Sequence, residues 1–164
     1  MGRDRTDLLR EMMAVRDDDP AGENWFAPVS RALGGLTAAQ AAWVPGEGMN
    51  TIWQLVNHLT FWTRFVAGRL AGDPPTGRAI DNDATFGSPG DPADDEGWAR
   101  AVQGLRDAYG GLHAALAPQT DAELDRPLNS RRTPAVTMIS GTVMHDAYHI
   151  GQIVLLRRLQ GSWC

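Results

Sequence analysis

An all-α fold built on four main helices is predicted by three observations. Apolar residues recur at helical spacing wherever the chain is periodic, hydroxyl-x-x-Gln/Glu capping boxes stand at several helix starts, and no apolar–polar alternation is long enough for a sheet. The length of 164 residues suits a single domain spanning 1–164. A composition of 43% hydrophobic and 21% charged residues is that of a globular chain with a real core.

The first helix is expected from Thr6 to Arg16, ending in the Asp17-Asp18-Asp19-Pro20 stretch. A second helical segment is expected from Asn24 to Leu33, with Trp25, Phe26, Val29 and Leu33 on one stripe and Gly34-Gly35 as its stop. Thr37 and Gln40 have capping-box spacing and announce a short turn before Pro45-Gly46. Thr51 and Gln54 repeat the device. They open a helix whose stripe is Ile52, Leu55, Val56, Leu59, Thr63, Val66 and Leu70, closed by Gly72 and Pro74-Pro75.

Residues 72–95 are rich in Gly, Pro and Asp and lack periodicity, which fits an irregular crossover joining two parallel helices. Asp81-Asn82-Asp83 lacks the alternating carboxylates, the central Gly and the closing Glu of a calcium loop, so a solvated loop is expected there. The next helix runs from Asp94 to Leu116 on Trp98, Val102, Leu105, Tyr109, Leu112 and Leu116. Thr120 and Glu123 spell another box before Pro127. The last helix is expected to take Thr133 as N-cap and Pro134 as its first residue, and to stop at Gly161.

Composition excludes several function classes. With 20 acidic against 15 basic residues the formal charge is −5, contrary to the basic excess of a nucleic-acid binder. Lys is absent, which removes Schiff-base chemistry. Cys164 stands alone, so neither a disulfide framework nor a cysteine-based zinc site is expected. No apolar run approaches the roughly 18 residues of a membrane helix, and the charged start MGRDRTDLL has no signal core. The expectation is a cytoplasmic protein with no membrane or nucleic-acid partner. Gly2 and Thr6 match the loose myristoylation pattern, which is read as chance.

The chemistry concentrates in histidine. His145 and His149 are one helical turn apart on the edge of an apolar stripe, and His58 flanks Leu55, Trp62 and Phe65 on another helix. Imidazoles bordering a core need polar partners, because an unpaired buried polar group costs about 1–3 kcal/mol. A metal shared by His58, His145 and His149 would satisfy all three, whereas ordinary packing is the bland alternative. His113 has no such spacing and is read as a surface or outer-layer residue. His145-Asp-Ala-Tyr-His149 is close to H-E-x-x-H, but Asp146 is a methylene short of the general-base Glu. Residues 150–164 contain no Asp, Glu or His to act as the downstream third ligand, so a metalloprotease is not expected.

Three stretches together resemble the DinB/YfiT-like superfamily: Gly35-Leu-Thr-Ala-Ala-Gln-Ala-Ala-Trp-Val-Pro45, Thr51-Ile-Trp-Gln-Leu-Val-Asn-His58-Leu59 and His145-Asp-Ala-Tyr-His149-Ile-Gly-Gln-Ile153. The resemblance runs from about residue 24 to 160 and assigns no role to residues 1–22. It implies an up-down-down-up four-helix bundle with a metal held by His58, His145 and His149. It also implies a homodimer and either a thiol S-transferase using a low-molecular-weight thiol or a hydrolase. Three imidazoles leave a coordination position open, as catalytic sites do. Zn²⁺ is the default ion, with Ni²⁺, Fe²⁺ or Mn²⁺ compatible. Gln152, on the face of His149, is a candidate to orient substrate or bound water; Asp146 could hydrogen-bond a ligand imidazole from behind, but its direction about 100° round the helix disfavours this. The contrasting reading is a non-catalytic, metal-binding or dimerising helical protein, with Trp25, Trp43 and Trp53 at an interface.

Overall fold

A computed structural model describes residues 4–73 and 80–163 of the chain. Pro74-Pro75, Gly2 and Cys164 therefore lie outside the described residues. The architecture is all-helical: α1 (Arg5–Asp17), α2 (Val29–Leu33), α3 (Ala38–Ala41), α4 (Ile52–Ala71), α5 (Asp95–Leu116) and α6 (Ala135–Leu159), with short 3-10 turns at Asp83–Phe86 and Glu123–Asp125. α4 lies along α5 and α6, and α1 packs on α6 and α5. No helix among the described residues is long and apolar enough to cross a membrane.

Two of the three expected capping boxes form, while at Thr120 the hydroxyl donates to the Glu123 carboxylate and does not accept its N–H. Thr51 Oγ1 accepts the Gln54 N–H at 3.1 Å while Gln54 Oε1 accepts the Thr51 N–H at 3.0 Å, and Thr37 with Gln40 does the same for α3. Gly72 closes α4 with φ +85°, a left-handed cap that suits a residue without Cβ. Asp94 caps α5 by accepting the Gly97 N–H at 2.7 Å.

Two apolar clusters divide the interior. One joins Ile52, Leu55 and Leu59 of α4 with Trp98 and Leu105 of α5 and Ile153 of α6, and it extends over α2 and α3. The other joins Leu9 and Met13 of α1 with Val66 and Leu70 of α4, Leu112 and Leu116 of α5 and Ile139 of α6. Residues 1–22, which the resemblance leaves without a role, thus supply a core helix. Fully burying each such side chain contributes about 1.5–3 kcal/mol.

Three further expectations are corrected. Residues 24–28 are not helical, and α2 is only five residues long. The Asp19 carboxylate accepts the N–H groups of Gly22, Glu23 and Asn24, holding a loop in place of a helical turn, and Pro28 sits extended as the cap. Trp25 consequently stands fully exposed. Second, the cap of α6 is Pro134, not Thr133. The Pro134 carbonyl accepts the first helical N–H from Met138, while the Thr133 carbonyl is taken by Leu128 and its hydroxyl by Asn129. The antiparallel pairing of Pro127 with Pro134 holds that turn extended. Third, the described part of the 72–95 crossover is not merely a solvated loop, because Thr85 and Phe86 turn inward in the 3-10 segment.

The first two turns of α4 staple that crossover down. Thr51 Oγ1 donates to the Pro89 carbonyl at 2.9 Å, Gln54 Nε2 to that of Gly87 and Asn57 Nδ2 to that of Phe86. Gly90, at φ +92°, lies so close to the Trp53 ring that a Cβ would overlap it. Thr51 therefore both caps α4 and anchors the crossover. Thr51→Ala is expected to lower unfolding free energy by about 1–2 kcal/mol in urea titrations; a variant as stable as the parent contradicts this account of the helix start.

Candidate metal centre

The core stripe of α4 brings His58 inward to 2% exposure, facing α6. On α6, His145 and His149 are separated by one turn and face the same way. The Nε2 atom of His145 lies 3.1 Å from Nε2 of His58 and 3.1 Å from Nε2 of His149. All three ligand atoms fall within 4.8 Å of one another. The three residues expected from the sequence are thus assembled at one point by the α4–α6 contact.

The opposite edges of two rings are committed. Thr85 Oγ1 donates its proton to the Asn82 carbonyl at 2.5 Å, so it can only accept from His58 Nδ1, which lies 2.5 Å away. Gln152 Oε1 accepts from His149 Nδ1 at 2.7 Å. With Nδ1 protonated, each neutral ring presents a lone pair at Nε2. One proton on His145 Nε2 can bridge to His58 or to His149, not to both. At least one close lone-pair contact remains, and a cation at the centre would relieve it. A tetrahedral zinc with bonds of about 2.0–2.1 Å spaces its ligands about 3.3–3.4 Å apart, near the 3.1 Å found here. The donor set fits a divalent ion.

Thr85 and Phe86 escaped the sequence reading. The Phe86 ring stacks on His58 at 3.9 Å and 7°, and Trp62 meets the same imidazole edge-on. Their only signal was a small island, Ala84-Thr-Phe86, inside an acidic, Gly- and Pro-rich stretch. Gln152 is where the helical wheel puts it, and its oxygen is engaged in orienting His149. His113 lies apart from the centre and pairs with Asp17 at 2.7 Å, in agreement with an outer-layer position.

Access is uneven. His145 keeps 32% of its side chain exposed, and the exposed Tyr148 ring packs edge-on to His149. The site is therefore closed on the Phe86 side and open beside His145. Asp146 has an unexpected place. It is fully buried, its Oδ2 is 2.9 Å from Arg16 Nη1, and its Oδ1 is 3.6 Å from His145 Nδ1.

A family model described as the DinB superfamily matches residues 26–153, most of the chain. The chain belongs to the DinB superfamily. No curated protein and no solved structure matches it. The DinB match begins after α1, the helix expected from Thr6 to Arg16. The paired motifs on α4 and α6 both lie inside the matched span.

Burial is the main cause that pushes the His58 imidazole from its ordinary 6.5 to about 4, with His149 and His145 adding to it. Burial lowers His149 as well, although the Gln152 oxygen opposes the shift. In the metal-free protein the folded state then binds fewer protons than the unfolded chain below pH 6.5, so acidification favours unfolding. The metal-free DinB domain is expected to lose thermal stability progressively between pH 6.5 and about 4, with a shallower decline in His58→Leu. Parallel pH–stability curves for the two proteins contradict this assignment.

Proposed function

We propose that this DinB-superfamily protein is a divalent-metal-dependent enzyme acting on a small molecule, as a thiol S-transferase or a hydrolase. The observation that carries the reading is the convergence of three imidazole Nε2 atoms, with the outer nitrogens of His58 and His149 already hydrogen-bonded elsewhere. His58, His145 and His149 would hold the ion, with Zn²⁺ the default and Ni²⁺, Fe²⁺ or Mn²⁺ compatible. When bound, the metal lowers the pKa of a coordinated thiol or water and so furnishes a nucleophile at neutral pH. Burial disfavours the charged form of His58 and His149, hydrogen bonds lock those two rings, and Phe86 stacks over His58. The open side beside His145 supports an exchangeable position, which a closed structural site lacks.

The proposed architecture beneath the site is an up-down-down-up bundle of α1, α4, α5 and α6. It is supported by the first halves of α4 and α5 sharing a cluster with the second half of α6, while their second halves share one with its first half. α1 starts beside Asp121 and Asp125, at the junction between α5 and α6, which supports its running alongside α6.

Purified protein is expected to carry about one equivalent of metal by elemental analysis, and His58→Ala, His145→Ala or His149→Ala to lose it while keeping its helical circular dichroism. The cobalt-substituted protein should change its visible spectrum when a small thiol is added. A cobalt spectrum indifferent to thiols and to small anions would overturn the catalytic reading, and protein that takes up no metal would overturn both.

A homodimer is proposed on the outer face of α6. Met144, Tyr148, Leu155 and Leu159 are exposed there, at 65%, 65%, 55% and 61%. Their spacing is symmetric about Gly151 and Gln152, so an antiparallel second copy would set Met144 against Leu159 and Tyr148 against Leu155, with small Gly151 where the axes cross. Sedimentation is expected to give a dimer that Leu155→Asp converts to a monomer; a parent protein that is monomeric at micromolar concentration removes this proposal.

A further inference from the structure

Each of two imidazoles in the centre has a dedicated acceptor behind it, Thr85 Oγ1 for His58 and Gln152 Oε1 for His149. His145 has one polar atom in the corresponding place. Asp146 Oδ1 lies 3.6 Å from its Nδ1 and is fully buried, with the buried Tyr109 hydroxyl as the other polar group facing this carboxylate. That distance is too long for a hydrogen bond, yet a small rotation of the half-exposed ring closes it. A buried carboxylate oxygen next to an imidazole nitrogen makes no well-formed hydrogen bond until the ring turns toward it.

The carboxylate itself is held from another helix. Arg16, the penultimate residue of α1, is 0% exposed, and its Nη1 lies 2.9 Å from Asp146 Oδ2. The guanidinium lies 3.5 Å over the Tyr109 ring of α5 and also pairs with Asp17. Three helices thus meet at Arg16, and the carboxylate on which it acts sits next to a ligand in the chain.

We infer that Asp146 is the positioning residue of His145 in the metal centre, and that Arg16 brings α1 into the site by fixing the Asp146 carboxylate. The inference rests on the three imidazoles holding a metal. The carboxylate–imidazole arrangement orients the ring, fixes its tautomer with the proton on Nδ1, and raises its strength as a ligand at Nε2. Arg16 holds Asp146 by Oδ2, which leaves Oδ1 on the side of the His145 ring. The helix outside the span of the family match then completes the outer layer of the site.

The test uses the full chain, with zinc affinity measured against a competing chelator and imidazole N–H signals read by NMR. Zinc-loaded parent protein is expected to show three hydrogen-bonded Nδ1–H signals, one for each histidine. An Arg16→Met/Asp146→Leu double variant replaces the buried ion pair with apolar side chains of similar size, a change that such sites tolerate without unfolding. It is expected to lose the His145 signal, keep those of His58 and His149, keep its helical content, and bind zinc about 10–100-fold more weakly. A role confined to packing predicts unchanged zinc affinity. A folded double variant with the parent's affinity, or zinc-loaded parent protein without a hydrogen-bonded His145 Nδ1–H, overturns the inference while leaving the metal centre standing. Parent protein that binds no zinc overturns the metal reading, and this inference with it.

Discussion

Three imidazoles meet at a contact between α4 and α6, two of them buried, and much of the surrounding structure answers to that one constraint. Rings in such a place cannot be left with free polar edges, because each unpaired buried group costs about 1–3 kcal/mol. Thr85 and Gln152 satisfy the outer edges of His58 and His149. The inner edges cannot all be satisfied by one another, since neutral imidazoles supply too few protons for the contacts they make. Burial compounds this by disfavouring protonation of His58, with Phe86 stacked flat against it. A site assembled in this way is poised for a cation other than a proton.

The same constraint explains why the crossover after α4 is anchored so firmly. Its 3-10 turn must deliver Thr85 to within hydrogen-bond reach of His58, and three side chains from the first two turns of α4 hold its backbone there. Helix start and site therefore share parts: Thr51 and Gln54 cap α4 and also grip the crossover. A connection of this length usually adds little to stability, but here it forms one wall of the site.

α6 buries charged and polar side chains among its apolar core residues and also exposes large apolar ones. Asp146, His149 and Arg157 are buried on it, while Met144, Tyr148, Leu155 and Leu159 face outward. Each buried charge has an identifiable partner. Asp146 meets Arg16, and Arg157 donates to the carbonyls of Arg31, Ala32 and Gly34 around the end of α2. A buried pair gains little net stability over an apolar one, so its value lies in fixing which helix meets which. Arg16 with Asp146 does this for α1, and Arg157 does it for the C-terminal end of α2.

Local rules were enough for much of this protein. Helix periods, the boxes at Thr37 and Thr51, and the spacing of His145 and His149 depend on residues a few positions apart, so they were legible in the sequence. The pairing with His58 could be reached because its helix and the last one each carry an apolar stripe with imidazoles at its border. Where local signals competed, the sequence misled. Trp25 and Phe26 fit a helical stripe, but Asp19 captured three successive N–H groups and left the ring of Trp25 in solvent. Thr133-Pro134 spelled a helix start, but its pairing with residues 127–128 shifted the cap by one. Thr85 reaches His58 across 27 positions and Arg16 reaches Asp146 across 130. Neither partner carries a periodic or capping signature, because a hydroxyl or guanidinium acquires its role only from what the packed chain places beside it. The sequence by itself determined the helices and the three imidazoles. Tertiary packing decided which side chains stand behind them, because hydrogen bonds across such separations are selected by the whole fold and by no local pattern.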